Sequence, residues 1–224
     1  MQTIKLRSTA ADGFAFSALH LPPQGAPRGG VIVIQEIYGL DAYIRADAER
    51  WSGLGFEVLA PSMFDRISPG LDLPHDPEGM AAAFQVAFKA KPGDAMADLA
   101  ACIAFLAQRG PVFMVGYCYG GTQAWEAAGR LDGLAALSSY YGSGGAGGAG
   151  LTPQTPTSCH LGAKDPNVAA GPSAAAIRAA QPGVQVFIYE NSGHGFNNDG
   201  RPDSDPGDAA LARARTLQHF EANG

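Results

Sequence analysis

Three short runs of apolar, largely β-branched residues lie in the first half of the chain, at 30–34, 56–60 and 112–115. The runs are continuous rather than alternating, which is typical of strands buried on both faces in a parallel sheet. Between them, residues 42–53 are rich in Ala, Arg and Glu, and residues 94–109 carry apolar positions every three or four residues. These two stretches predict helices. The pattern therefore predicts strands that alternate with helices.

The two ends of the chain extend this pattern. Residues 2–8 and 13–21, joined by a turn at Asp12-Gly13, predict an antiparallel hairpin. The second half predicts, in order, a helix, two strands, a helix, a strand and a helix, at about 120–130, 134–140, 157–161, 172–180, 184–189 and 207–222. We therefore expect a single α/β domain over residues 1–224, with a mostly parallel sheet, an antiparallel start and helices on both faces.

Two segments interrupt the regular pattern. Residues 61–80 contain four prolines and two glycines, which predicts a long surface loop of the kind that often covers a site. Residues 142–150 are almost all Gly, Ala and Ser. Such a stretch buries too little surface to order itself, so a flexible loop is favoured over a lid.

Composition and charge narrow the class of protein. Of 224 residues, 46% are hydrophobic and only 16% charged, and the net charge is −6. This composition excludes a disordered chain, and no apolar run reaches the roughly 18 residues of a membrane span. The absence of a cationic cluster argues against nucleic acid or an anionic membrane as partner. We expect a small-molecule substrate and a monomer or small homo-oligomer.

The cysteines and the N-terminus add two further expectations. Cys102, Cys118 and Cys159 are an odd number and form no CxxC pair, so neither a disulfide framework nor a zinc cluster is indicated. We expect no cofactor and no metal, and at least one working thiol. The first residues alternate polar and apolar side chains instead of forming a signal-like apolar run, which favours a cytoplasmic protein.

The segment Gly116-Tyr117-Cys118-Tyr119-Gly120-Gly121 has the form of a nucleophile elbow, with cysteine at the central position. It follows a predicted buried strand and precedes a predicted helix. In such elbows the flanking glycines permit a sharp turn that lifts the nucleophile to the carboxyl edge of the sheet. A packed, inert cysteine is the alternative. The flanking strand and helix favour Cys118 as a nucleophile.

An elbow nucleophile requires a histidine and an orienting carboxylate on later strand ends, in the order nucleophile, acid, histidine. Asp165 follows the predicted strand ending near Leu161, and His194 follows the one ending near Tyr189. Taken alone, an Asp before Pro is usually a turn former, and a His between glycines is usually a surface residue. The agreement of three positions favours catalysis. The other histidines, which lack this placement, are His20, His75, His160 and His219.

The loop after the first central strand reads Gln35-Glu36-Ile37-Tyr38-Gly39. In this arrangement the backbone N–H groups of Ile37 and Tyr119 would form the oxyanion hole. A carboxylate at the end of a buried strand is costly without a partner. Glu36 could therefore form a salt bridge, for instance to Arg45, or act directly beside Cys118, and the two roles are compatible.

Four motifs together resemble the dienelactone hydrolase family of α/β-hydrolases, over essentially the whole chain. They are the Gln35 to Gly39 loop, the Gly116 to Gly121 elbow, the Gly162 to Asp165 loop and Gly193-His194-Gly195-Phe196. The resemblance implies an α/β-hydrolase fold and a triad of Cys118, His194 and Asp165. It also implies that Glu36 controls protonation of the thiol. The implied reaction opens small lactones or activated esters through a cysteine thioester.

The chain departs from this family where substrate is bound. Members of the family hold a substrate carboxylate with arginines and a tyrosine, whereas the corresponding positions here are Met80, Phe84 and Asn198. Charge-assisted contacts are the strong ones, so use of an anionic dienelactone is in question. We expect these three residues, together with Tyr38 and Phe196, to line the substrate pocket.

Several alternatives remain open at this point. One is a broad esterase or thioesterase with a more neutral pocket, and another is a noncatalytic small-molecule binding protein on the same fold. A redox role for Cys118 is weaker, because no resolving cysteine lies at CxxC spacing. Arg66 and Arg201 could reach an anionic group from a new direction, although most arginines are solvated surface residues.

Overall fold

The computed structural model describes residues 1–23, 25–144, 150–199, 201 and 204–224. Within these ranges, eight strands form one sheet in the order β1-β2-β4-β3-β5-β6-β7-β8. The strands are β1 Gln2–Arg7, β2 Ala15–Leu21, β3 Gly30–Ile34, β4 Glu57–Pro61, β5 Val112–Tyr117, β6 Ala136–Tyr140, β7 Thr157–Gly162 and β8 Gln185–Tyr189. The pairs β1–β2 and β2–β4 are antiparallel, and the other pairs are parallel.

Six helices and one short 3₁₀ turn lie within the same described ranges. They are α1 Ala42–Gly53, α2 Pro77–Ala87, α3 Pro92–Leu106 with its 3₁₀ extension Ala107–Arg109, α4 Tyr119–Arg130, α5 Ala170–Ala180 and α6 Pro206–Glu221. None of the helices in the described residues is long and apolar enough to cross a membrane.

The core lies on both faces of the sheet, as strand β3 illustrates. Val31 and Val33 pack in one cluster with residues of α1 and α6, whereas Ile32 and Ile34 pack in another with residues of α3 and α4. Successive side chains of a strand point to opposite faces, so a strand between two helical layers must be apolar at every position. This explains the continuous apolar runs in the sequence.

The predicted architecture is confirmed: the sheet is mostly parallel, begins with an antiparallel hairpin and carries helices on both faces. Most element boundaries lie within two residues of the predicted ones. The largest shift concerns the helix predicted at 94–109. It begins at Pro92, because proline suits the first helical position, and it tightens into the 3₁₀ turn after Leu106.

The prediction of a surface loop over residues 61–80 is wrong in two respects. Helix α2 begins at Pro77, where the Asp76 carboxylate accepts a hydrogen bond from the Gly79 N–H at 2.7 Å. A proline is favourable at the first position of a helix, so Pro77 marks the start of α2 and not a loop. In addition, Met63 and Phe64 are buried. Of the flexible loop predicted at 142–150, residues 145–149 lie outside the described residues.

Candidate active site

Cys118 stands at the sharp turn between β5 and α4, with φ 54° and ψ −111°. Such a backbone conformation is strained for a residue with a side chain. The turn is also very close-packed. A Cβ atom at Gly116 would lie 2.1 Å from the Gly120 carbonyl oxygen, and one at Gly120 would lie 2.4 Å from that of Ile34. Glycine is therefore required at both positions, and the turn leaves the Cys118 side chain partly exposed at the carboxyl edge of the sheet.

Two later strand ends bring Asp165 and His194 into contact. His194 Nδ1 donates to Asp165 Oδ2 at 2.8 Å, and Asp165 Oδ1 accepts the N–H groups of Asn167 and Val168 at 2.7 and 3.0 Å. Burial lowers the pKa of His194, but its hydrogen bonds to Asp165 and Cys118 outweigh this effect and raise the pKa to about 10. The imidazole is therefore a proton donor at neutral pH.

The loop after β3 lies against the first turn of α4. The Gly120 N–H donates to the Gln35 carbonyl at 3.1 Å, and the Gln35 side chain accepts the Met63 N–H at 3.2 Å. Ile37 and Tyr119 consequently line the same cavity as Cys118. The N-terminus of a helix presents backbone N–H groups and a positive dipole end, so this place suits a developing oxyanion.

Glu36 is buried beside this cavity, with only 1% of its surface exposed. Asn198 Nδ2 donates to Glu36 Oε2 at 3.1 Å, and Arg201 Nη1 lies 4.0 Å from Oε1. Among the described residues, Oε1 accepts no hydrogen bond. Burial raises the pKa of Glu36, and the charge of Arg201 opposes this rise. The suggested salt bridge to Arg45 is wrong, because Arg45 pairs with Asp72 at 3.6 Å.

These groups face a cavity of about 540 Å³. One wall is formed by Met80 and Phe84 of helix α2 and by Phe88, which directly follows the helix. Phe84 is 46% exposed and Phe88 84% exposed, which is unusual for large apolar side chains. Tyr38 and Arg201 also line the cavity. Exposed apolar side chains grouped at a cavity mark a surface for a ligand.

The structure brings most of the predicted site residues together. The predicted residues that line the cavity are Glu36, Ile37, Tyr38, Met80, Phe84, Cys118, Tyr119 and His194, and Asp165 lies behind His194. Phe196 and Asn198 do not line it, which corrects two pocket assignments. Gly195, with φ 75°, turns the chain so that Phe196 is fully buried, 4.9 Å from the Tyr189 ring. Asn198 is also buried and holds Glu36.

Tyr141 is a cavity residue that the sequence reasoning missed. It has φ 38°, its ring lies 4.9 Å from the His194 ring in an edge contact, and it lines the cavity. Its buried hydroxyl has no hydrogen-bond partner among the described residues. The signal was present, because Tyr141 follows strand β6 at the same carboxyl edge that indicated Asp165 and His194.

A second histidine–carboxylate pair lies next to Glu36. His75 Nε2 and Asp41 Oδ2 are 2.6 Å apart, and one potential ligand atom each of Glu36, Asp41 and His75 lie within 4.8 Å of one another. The His75–Asp41 hydrogen bond and the nearby Arg201 account for this closeness. The contacts alone therefore do not indicate a metal site.

The sheet order, the strand-to-helix elbow at Cys118 and the acid and histidine on later strand ends define an α/β-hydrolase. More narrowly, the chain belongs to the dienelactone hydrolase family, whose sequence model matches residues 16–223. A carboxymethylenebutenolidase of Pseudomonas sp. (strain P51) is 33% identical over 97% of this chain and 94% of its own. One from Pseudomonas putida is 32% identical, covering 92% and 91% of the two chains.

Solved structures agree on the fold. A candidate dienelactone hydrolase from Klebsiella pneumoniae subsp. pneumoniae has a TM-score of 0.82 at 24% identity, with 99% of each chain covered. A dienelactone hydrolase-like promiscuous phosphotriesterase from metagenomic libraries has a TM-score of 0.76 at 23% identity, with 99% and 98% covered. The protein is therefore a hydrolase of ester or lactone bonds, and a noncatalytic binding protein is not supported.

Proposed function

We propose that this protein opens small lactones or activated esters with Cys118 as nucleophile, through a thioester intermediate. One observation carries the proposal. The partly exposed Cys118 thiol faces the same cavity as His194 and Glu36, with Asp165 hydrogen-bonded behind His194. Ile37 and Tyr119 line that cavity as well. A nucleophile, a proton donor, a buried carboxylate and an oxyanion site within one cavity are the parts that acyl transfer requires.

The thiol must lose its proton before it attacks, since an ordinary cysteine with a pKa of about 8.5 is only a few per cent thiolate at neutral pH. The contact with Cys118 contributes to the raised pKa of His194 when the sulfur is a thiolate, so His194 holds its proton most firmly once the thiolate has formed. His194 therefore suits the role of proton donor to the leaving group better than the role of acceptor for the thiol proton. Glu36 is the better acceptor: burial raises its pKa, and it rests against Asn198 and Arg201. Substrate that displaces Glu36 from these partners frees it to take the Cys118 proton.

The reaction then proceeds in two halves. The Cys118 thiolate attacks the carbonyl carbon, and the Ile37 and Tyr119 N–H groups donate to the oxyanion. The carbon–oxygen bond breaks, and the leaving alkoxide or enolate takes a proton from His194. Neutral His194, oriented by Asp165, next removes a proton from water that attacks the thioester. The acid is released, and the proton on Glu36 returns to the sulfur.

The cavity wall supports a second candidate, a broad esterase or thioesterase with a more neutral pocket. Met80 and Phe84 occupy the positions on α2 where members of the family hold a substrate carboxylate, and Phe88 extends the same apolar wall. Among the described residues that line the cavity, Arg201 is the only arginine or lysine, and it is held next to Glu36. Comparing kcat/KM for an anionic dienelactone and an uncharged aryl ester separates the two candidates.

The nucleophile is tested with Cys118→Ala and a matched control, Cys102→Ala. The control deletes the thiol of an α3 residue whose side chain is buried in the core. We expect Cys118→Ala to lose turnover of p-nitrophenyl acetate and of a lactone, and the control to keep it. Rapid acid quenching and intact-protein mass spectrometry should detect an acyl adduct on the wild type and none on Cys118→Ala. Full activity in Cys118→Ala contradicts the proposal.

A further inference from the structure

The His75–Asp41 pair lies next to the residue on which thiol activation depends. Asp41 is buried, and its two oxygens have separate tasks: Oδ1 caps α1 by accepting the Ile44 N–H at 2.9 Å, and Oδ2 contacts His75 Nε2 at 2.6 Å. His75 itself is exposed to solvent. One polar atom each of Glu36, Asp41 and His75 fall within 4.8 Å of one another. At such distances, charges couple strongly in a buried site.

We propose that His75 and Asp41 are positioning residues that control the proton affinity of Glu36 and, through it, the formation of the Cys118 thiolate. This inference rests on the function proposed above. Neither residue is among the described residues that line the cavity. The Tyr38 ring, which does line it, stacks on His75 with 3.9 Å between ring centroids. The pair therefore acts on Glu36 from behind the cavity wall.

The direction of the effect follows from the charges. Burial is the largest cause of the raised pKa of Glu36, and the charge of Arg201 is the main cause that opposes it. Asp41 raises the pKa of Glu36 further, and His75 lowers it. When His75 carries a proton, the pair has no net charge. When His75 is neutral or absent, a negative charge is left on Asp41 beside the buried Glu36 carboxylate. The pair therefore adjusts the charge next to Glu36 by one unit.

Other groups also face Glu36, and their charges define the background for this adjustment. They are Tyr43 on α1, Tyr141 after β6, Asn198 and Arg201 after β8, and Cys118 and His194 across the cavity. Arg201 opposes the effect of burial on Glu36, and the hydrogen bonds of His194 to Asp165 and Cys118 raise the pKa of His194 to about 10. The His75–Asp41 pair adds its own charge to this background from outside the cavity.

The test removes each half of the pair and follows the pH dependence of kcat/KM. His75→Gln leaves Asp41 uncompensated, which raises the pKa of Glu36, so the acid limb should move up by about one pH unit. Asp41→Asn removes the negative charge, so the limb should move down by a similar amount. Asparagine is also a good helix cap, which protects α1. The double variant should return toward the wild-type profile, because both charges are gone.

Opposite shifts with little change in KM support the inference. Shifts in the same direction, or activity that falls equally at all pH values, overturn it, because a purely structural pair would behave in that way. His75→Ala is the second variant if His75→Gln folds poorly, and buffers containing EDTA exclude an effect of stray metal. Two variants separate the two levels. Full activity in Cys118→Ala overturns the proposed function, whereas full activity in Glu36→Gln overturns the activation step and the present inference with it. If Glu36→Gln is inactive while the pair variants shift nothing, only the present inference fails.

Discussion

Two regions of the molecule each hold a cysteine and a histidine, one within a strand of the sheet and one at the carboxyl edge of the sheet. At the carboxyl edge, Cys118 and His194 face the cavity. Inside strand β7, Cys159 and His160 are neighbours in sequence and are both buried. The residue types are the same, yet their chemistry differs, and the partners supplied by the fold account for the difference.

In strand β7 the partners are neutral. Adjacent strand residues point to opposite faces, so Cys159 and His160 cannot act on a common substrate. In the described part of the chain, the hydrogen-bond partners of the His160 ring nitrogens are all hydroxyls: Tyr189 at 2.8 Å, Ser158 at 3.2 Å and Thr216 at 3.3 Å. Burial lowers the pKa of His160 to about 3 and raises the pKa of Cys159 to about 12. Both side chains are therefore neutral and inert at neutral pH.

At the carboxyl edge a carboxylate reverses this outcome. His194 is also mostly buried, and burial again lowers its pKa, but the hydrogen bonds to Asp165 and Cys118 raise the pKa to about 10. Burial is the largest cause of the lowered pKa of His160, and the nearby Arg215 and His219 add to it. At the carboxyl edge, a buried carboxylate held by backbone N–H groups and the contact with Cys118 together raise the pKa of His194.

The largest effect that would test this comparison is loss of catalysis in Asp165→Asn. The isosteric amide removes the negative charge that orients His194 and stabilises its protonated form, so we expect kcat to fall by about 10³-fold or more. His160→Gln is the matched change in strand β7. It should leave kcat/KM nearly unchanged while costing about 1–3 kcal/mol in the free energy of unfolding, because a buried hydrogen-bonded group is disturbed. Steady-state kinetics measure kcat and kcat/KM, and urea denaturation measures the free energy of unfolding. A large loss of kcat/KM in His160→Gln would contradict the inert role of His160.

The rate of thiol alkylation should also differ between the two regions, by a smaller factor than the expected loss of kcat in Asp165→Asn. Iodoacetamide should label Cys118 about 10²-fold faster than Cys159 in the folded protein, because a buried neutral thiol is unreactive. Cys102 should behave like Cys159, since burial also raises its pKa. Peptide mass spectrometry against time gives the rates, and labelling in urea provides the control in which all three sites react. Equal rates in the folded state contradict the assignment.

The pH dependence of stability should separate the two histidines by sign. His194 has a raised pKa, so its stabilisation is complete below about pH 6.5 and is lost as pH rises toward about 10. His160 has a lowered pKa, so its stabilisation is present above about pH 6.5 and is lost as pH falls toward about 3. Urea denaturation from pH 4 to 10 should show that His194→Gln removes part of the alkaline decline and His160→Gln part of the acid decline. The reverse pattern refutes both assignments.

The smallest expected effect concerns apolar residues at the edge and in the interior. Phe84→Ala should raise KM for an uncharged aryl ester severalfold with little loss of stability, since Phe84 is half exposed on the cavity wall. Phe220→Ala, in the core between α6 and the sheet, should instead cost about 3–5 kcal/mol in the free energy of unfolding. KM measurements and denaturation curves compare the two. An unchanged KM in Phe84→Ala for every substrate removes α2 from the substrate site.

Much of the fold could be predicted because its signals are local. A strand between two helical layers must be apolar at every position, and Gly116 is required by the Gly120 carbonyl four residues later, although Gly120 itself is required by the distant Ile34 carbonyl. Local signals also identify Asp165 and His194. Their order and their positions after strands place them at one edge, because parallel strands end at a common edge.

The errors share a different origin. Arg45 was the partner suggested for Glu36, but the packing of the loop after β8 against the loop after β3 brings Arg201 to Glu36 instead. Phe196 was assigned to the pocket from its place beside His194, but the turn at Gly195 directs it into the core. A single backbone angle decided that outcome, and no periodic pattern reports it.

The sequence by itself determined the layered α/β frame and the order of nucleophile, acid and histidine, since both follow from local periodicity and glycine positions. The tertiary structure alone decided which polar and charged groups surround Glu36, namely Arg201, Asn198, His75 and Asp41. It also decided that α2 lines the cavity. The physical reason is that electrostatic coupling and burial depend on distances of a few ångströms between segments far apart in the chain, which local sequence does not encode.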